Sequence, residues 1–103
     1  MILRVWRTEV DEARAAEYER FAREVSLPMF TRHEGHLGVL MGRQGSRCVV
    51  ITCWRTAADV AALEASEDYR DVVARIVAAG FAEPGQSTET FDAHLSEVGG
   101  LVR

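Results

Sequence analysis

The sequence predicts an α+β domain in the order β-α-β-β-α-β, with an antiparallel sheet carrying helices on one face. Three observations lead there. Four short segments, 2–9, 36–42, 47–55 and 87–95, have the alternation or β-branched content of strands. After the first and third of them, the apolar spacing changes to the threes and fours of a helix. The second and third are separated by Gln44-Gly45-Ser46, a turn of hairpin length. The chain has 103 residues, enough for one domain with one core.

In the first strand Leu3 and Val5 alternate with Arg4 and Trp6, so its two faces differ in chemistry. Asp11 is placed to cap a helix, whose stripe is Tyr18, Phe21, Ala22 and Val25. Pro28 argues for ending that helix near Ser26, with a short extra turn over 28–31 that carries Met29 and Phe30. The loop His33-Glu34-Gly35 leads into the second strand, where Leu37, Val39 and Met41 are expected on one face. In the third strand the five residues from Cys48 to Thr52 are small, β-branched or sulfur-bearing. Thr56 caps a helix over 57–65, and Ser66 caps another over 67–79 with Tyr69, Val72, Val73, Ile76 and Val77 as its stripe. Gly80 ends it. Residues 81–85, which include Pro84, are a loop. Phe91 is the expected inward residue of the last strand, and 96–103 form a tail beyond a domain spanning 1–95. Two crossovers and a hairpin in this order make a ferredoxin-like sheet.

The third strand is apolar on both faces: Val49, Ile51 and Cys53 on one, Cys48, Val50 and Trp54 on the other. Leu40 adds to the second apolar surface. Helices cover one side of a sheet, so the other would be an exposed apolar patch, which monomers avoid. A second copy is the simplest cover, and a homodimer is the expectation.

The net charge of −4 and the lack of a basic stripe speak against nucleic acid as a partner. All 12 basic residues are Arg, and the chain has neither Lys nor Asn. Cys48 and Cys53, five apart on one strand, face opposite sides and are not placed to bridge. Free thiols and an N-terminus without a signal segment point to the cytoplasm, and no apolar run is long enough for a membrane span.

The opening Arg4-Val5-Trp6-Arg7-Thr8, Tyr18, the run Gly35-His36-Leu37-Gly38-Val39, the strand end Thr52-Cys53-Trp54 and the helix start Ser66-Glu67-Asp68-Tyr69 resemble antibiotic biosynthesis monooxygenase domains. The most distinctive stretch is Trp54 followed by Thr56-Ala57-Ala58-Asp59. The resemblance runs over residues 2–95. It implies a dimeric α/β barrel and oxidations by O2 that often need no metal or flavin, so no cofactor is expected. One branch of the family oxidises polycyclic phenols or hydroquinones to quinones; another degrades haem. The haem-degrading branch relies on an Asn, a Trp and a His, and this chain has no Asn and no His over 67–79. Quinol-oxidising members often carry His where this chain has Leu63 and Asp68.

Cofactor-free oxidation needs an electron-rich phenol, a base, an apolar pocket and a donor for the developing oxyanion. The candidate bases are His33 and His36, with His94 a weaker one, since imidazole titrates near neutrality. Arg4, Arg75 or Arg55 could hold an anionic oxygen. Trp6, Tyr18, Phe30, Trp54 and Tyr69 could form the walls against which a flat ligand stacks. Each has a plainer role. Trp54 ends a buried strand, Tyr18 and Tyr69 lie on core stripes, and His33 and His36 flank a surface loop. Met29 and Phe30 could line an entry or close the core. Three isolated His lack metal-site spacing. Two functions stand side by side: a monooxygenase acting on a phenolic or hydroquinone molecule, and a non-catalytic dimer that binds a small apolar molecule or a partner.

Overall fold

The computed structural model describes residues 1–81 and 85–98. The expected loop and tail therefore fall partly outside the described residues. Strand β1 (Ile2–Glu9) is followed by a 3-10 turn (Glu12–Arg14), helix α1 (Ala15–Phe21), a π-helical turn (Ala22–Ser26) and helix α2 (Leu27–Thr31). Strands β2 (His36–Gln44) and β3 (Arg47–Trp54) form the hairpin. Helices α3 (Ala57–Ala65) and α4 (Glu67–Ala78) precede strand β4 (Ser87–Asp92). All pairings are antiparallel and the sheet order is β2-β3-β1-β4, the ferredoxin-like arrangement.

The expected caps form. The Asp11 carboxylate accepts from the Ala13 amide, Thr56 Oγ1 from Asp59, and Ser66 Oγ from Tyr69. Each satisfies an amide that a helix start leaves without an intrahelical partner. Gly45 turns the hairpin at φ 62° and Gly35 precedes β2 at φ 84°, conformations that L side chains avoid. A Cβ on Gly35 would also lie 2.3 Å from the Asp59 side chain.

The helical segment ends near Ser26 as expected, its last turn being the π turn. The short extra turn with Met29 and Phe30 is α2, with Pro28 in its first turn, and the backbone stays helical through the junction. Two expectations need correction. Leu37 does not share a face with Val39 and Met41. A register shift between His36 and Gly38 makes it the extra residue of a bulge, and it is exposed. Phe91 does not point inward. It pairs with Leu3 on the face away from the helices and is 48% exposed.

The register settles which face each residue takes, because directly opposed residues share a side. Arg4, Trp6 and Thr8 lie with Thr52, Val50 and Cys48, and with Val39 and Met41 of β2. This face meets the helices, and Trp6, Val50 and Trp54 join Tyr18, Met29, Phe30, Leu63, Val72 and Ile76 in the core. Leu3, Val5, Leu40, Val49, Ile51, Cys53 and Phe91 occupy the opposite face. Both cysteines are free, on opposite sides as expected. Among the described residues, no helix is long and apolar enough to cross a membrane.

Candidate functional site

Between the helices and the sheet lies a cavity of about 20 Å³, bordered by β1, β2, β3, α1, α2, α4 and the π turn. Five of the expected site residues, Arg4, Trp6, Tyr18, Phe30 and Tyr69, line it. Met29 and Phe30 are buried in its wall, so here they close the gap rather than hold it open. The volume suits one water molecule.

Arg4 is 2% exposed and is the one charged residue among those lining the cavity. Its Nε donates to Glu64 Oε2 at 3.0 Å and its Nη2 to the Tyr69 hydroxyl at 2.7 Å, with the guanidinium 5.0 Å from the Tyr69 ring centre. A buried cation needs such partners, because desolvation alone would make its burial prohibitive. Glu64, near the end of α3, approaches from outside the cavity, and its side chain is 43% exposed. No hydrogen bond from Arg4 Nη1 is made among the described residues. Trp6 keeps its indole in place by donating Nε1 to Gln86 Oε1 at 3.1 Å. Burial holds the Tyr18 phenol well above its usual range, so it stays neutral.

The remaining candidates lie elsewhere. Trp54 is fully buried, donates Nε1 to Thr52 Oγ1 at 2.7 Å, and does not border the cavity. His36 packs edge-on against Trp54, with ring centres 5.5 Å apart, and its buried Nε2 has no partner. Burial, helped by nearby His33, lowers its pKa, so it is neutral at pH 7. His33 Nε2 sits 2.9 and 3.1 Å from the two Asp68 oxygens, and Arg32 reaches the same carboxylate at 3.4 Å. Burial pushes Asp68 up, but hydrogen bonds from Ser66 and His33 outweigh it and hold its pKa below the ordinary carboxylate value. Arg75 is exposed over the Phe21 ring, Arg55 pairs with Glu34 and Asp59, and His94 is exposed. Among the described residues, no cluster of His, Cys, Asp and Glu could hold a metal.

Sequence reading missed Glu64. The only available signal was the helical register of α3, which puts Glu64 one residue beyond inward Leu63, and nothing in the sequence joins it to Arg4 sixty positions away.

No protein-family model matches the chain, and no curated protein matches it. Solved structures do. A Deinococcus radiodurans protein provisionally named an antibiotic biosynthesis monooxygenase superposes with a TM-score of 0.78 at 10% identity, over 95% of this chain and 97% of its own. SnoaB, a cofactor-independent oxygenase from Streptomyces nogalater, gives 0.72 at 19% identity over 92% and 94%. NE2512 of Nitrosomonas europaea, a protein of unknown function, gives 0.78 at 15% identity over 94% and 92%. The chain therefore has the ferredoxin-like α+β fold that the antibiotic biosynthesis monooxygenase structures share.

Proposed function

We propose that the protein is a cofactor-independent monooxygenase for a phenolic, polycyclic or hydroquinone molecule, working as a homodimer. The observation that carries this reading is Arg4, a nearly inaccessible guanidinium set among Trp6, Tyr18, Phe30 and Tyr69. Flat apolar walls with one buried donor group suit an aromatic ring bearing one oxygen. The description of SnoaB as a cofactor-independent oxygenase agrees with it.

In this reading the substrate ring lies between Trp6 and Phe30 with its hydroxyl oxygen on Arg4. Arg4 donates to that oxygen and stabilises the charge as the proton leaves. The electron-rich ring then reduces O2. Where the carbon para to the hydroxyl carries hydrogen, one oxygen atom becomes the new carbonyl there, and the other leaves as water with the hydroxyl proton and that hydrogen. In a hydroquinone the oxygen would enter in this way only at another ring carbon that carries hydrogen. Neither His33 nor His36 borders the cavity, so a substrate that enters neutral and is acidic enough to lose its proton without a histidine base fits better than one needing such a base. The cavity as it stands holds nothing larger than water, so in this reading Met29 and Phe30 move aside on α2 when the substrate binds. The π turn before α2 is an irregularity of the kind that permits such movement. The second copy would cover the sheet face of Leu3, Val5, Leu40, Ile51 and Phe91, and the barrel would close around both sheets.

The test is oxygen uptake with anthrone- and naphthol-type substrates. Uptake above a heat-killed control that is lost in Arg4→Met supports the reading; no uptake with any of them overturns it. A second reading, a non-catalytic binding dimer, is favoured by the small cavity and by the lack of a lining histidine. Tight binding of the same compounds without oxygen uptake would establish it.

A further inference from the structure

We propose that Glu64 sets the charge class of the ligand: it makes the Arg4 cavity a site for neutral aromatic hydroxyl compounds and excludes aromatic carboxylates of the same shape. This rests on the reading that the cavity binds a small aromatic molecule.

A lone buried guanidinium would recruit a carboxylate, because its fork matches two carboxylate oxygens and its charge is otherwise unbalanced. Arg4 is not alone. Its Nε is taken by Glu64, and one Nη2 proton by the Tyr69 hydroxyl. The Nε–Nη2 edge is thus unavailable to a second carboxylate. The charge is also taken. Arg4 and Glu64 together carry no net charge, and the remaining lining side chains are uncharged. A ligand carboxylate would enter an apolar site as the second anion on one cation, losing its hydration without a new counter-charge. A neutral hydroxyl needs only the hydrogen bonds that Arg4 still has to give.

Glu64 does this from outside. It lies in a separate cleft of about 310 Å³ between α3 and β4, with Ile2, Val60, Thr90 and Asp92. Its carboxylate reaches Arg4 from the solvent side and is not part of the cavity lining, so replacing it removes the counter-charge of Arg4 without altering the cavity wall. It is therefore a specificity-determining position and not a catalytic residue.

The experiment compares 1-naphthol and 1-naphthoate, matched in shape, by calorimetric titration near pH 7 into the wild type and Glu64→Gln. Gln keeps an acceptor for Nε and removes the charge. The wild type is expected to prefer naphthol. In Glu64→Gln, naphthoate should gain about tenfold in affinity while naphthol changes little, and the ionisation of bound naphthol should fall by about one pKa unit, the same factor of ten. The ionisation is read by absorbance, which a loss of packing alone would not shift in that direction. If Glu64→Gln does not fold, Glu64→Asp, with its carboxylate drawn back, should move both quantities the same way by less. A naphthol-to-naphthoate ratio unmoved by the substitutions overturns the proposal and leaves the cavity as a binding site. No binding of either compound to the wild type overturns the underlying reading and the proposal with it.

Discussion

The two faces of the single sheet differ in what covers them: helices pack on one, and no described element packs on the other. The face under the helices holds Arg4, Thr8 and Thr52 among its buried residues. The face without helices carries Leu3, Val5, Leu40, Val49, Ile51 and Phe91, with Leu40 and Phe91 about half exposed. Trp6, Val50 and Trp54 are buried beside those polar groups, so the helix-covered face is still the core. The difference teaches that apolar composition alone does not tell the two faces apart: one keeps a paired cation under the helices, and the other keeps apolar side chains in the open.

Four measurements would break or sharpen that contrast, and the first has the largest expected effect. The double substitution Leu40→Arg/Phe91→Arg alters only exposed side chains of the outer face. It should convert a dimer wholly to an 11.5 kDa particle by light scattering at micromolar concentration, with an unchanged circular dichroism spectrum. A wild type that already scatters as a single chain would dissolve the contrast. On the inner face, Trp54→Ala should cost about 3–5 kcal/mol in urea unfolding, through lost burial and an unfilled cavity. A cost under about 1 kcal/mol would mean that the core does not depend on that side chain.

The third measurement is acid stability. The His36 pKa is lowered from 6.5 on folding, so the unfolded state binds more protons as pH falls through that range. Stability should therefore rise with pH up to about 6.5, and His36→Phe should flatten that rise. Asp68 is lowered from 3.8 on folding, so its contribution is present above that value and is lost on further acidification. Thermal melts from pH 2 to pH 8 read both. The smallest effect belongs to the Arg7–Glu89 pair on the outer face, about half exposed on both sides. Glu89→Gln should cost no more than about 1 kcal/mol if water covers the pair. A larger cost that disappears in the Leu40→Arg/Phe91→Arg background would locate the pair under a partner.

Much of the architecture could be read from the chain because its signals are local. Asp11, Thr56 and Ser66 cap helices through amides two or three residues away. The turn at Gly45 and the two-sided apolar β3 are likewise properties of short windows. The site was only partly legible. Arg4, Trp6, Tyr18, Phe30 and Tyr69 do converge, but Trp54, Arg75, His33 and His36 have other neighbours. Alternation in β1 separates Arg4 and Trp6 from Leu3 and Val5 without saying which pair goes inside.

By itself, then, the sequence determined the order of elements, their caps and the chemistry of each strand face, since these depend on residues a few positions apart. Tertiary structure decided which face the helices cover, that a bulge turns Leu37 away from Val39, that Phe91 points outward, and that Glu64 meets Arg4. Those outcomes depend on register and on contacts sixty or more residues apart, where a side chain's partner is set by packing and not by its neighbours in the chain.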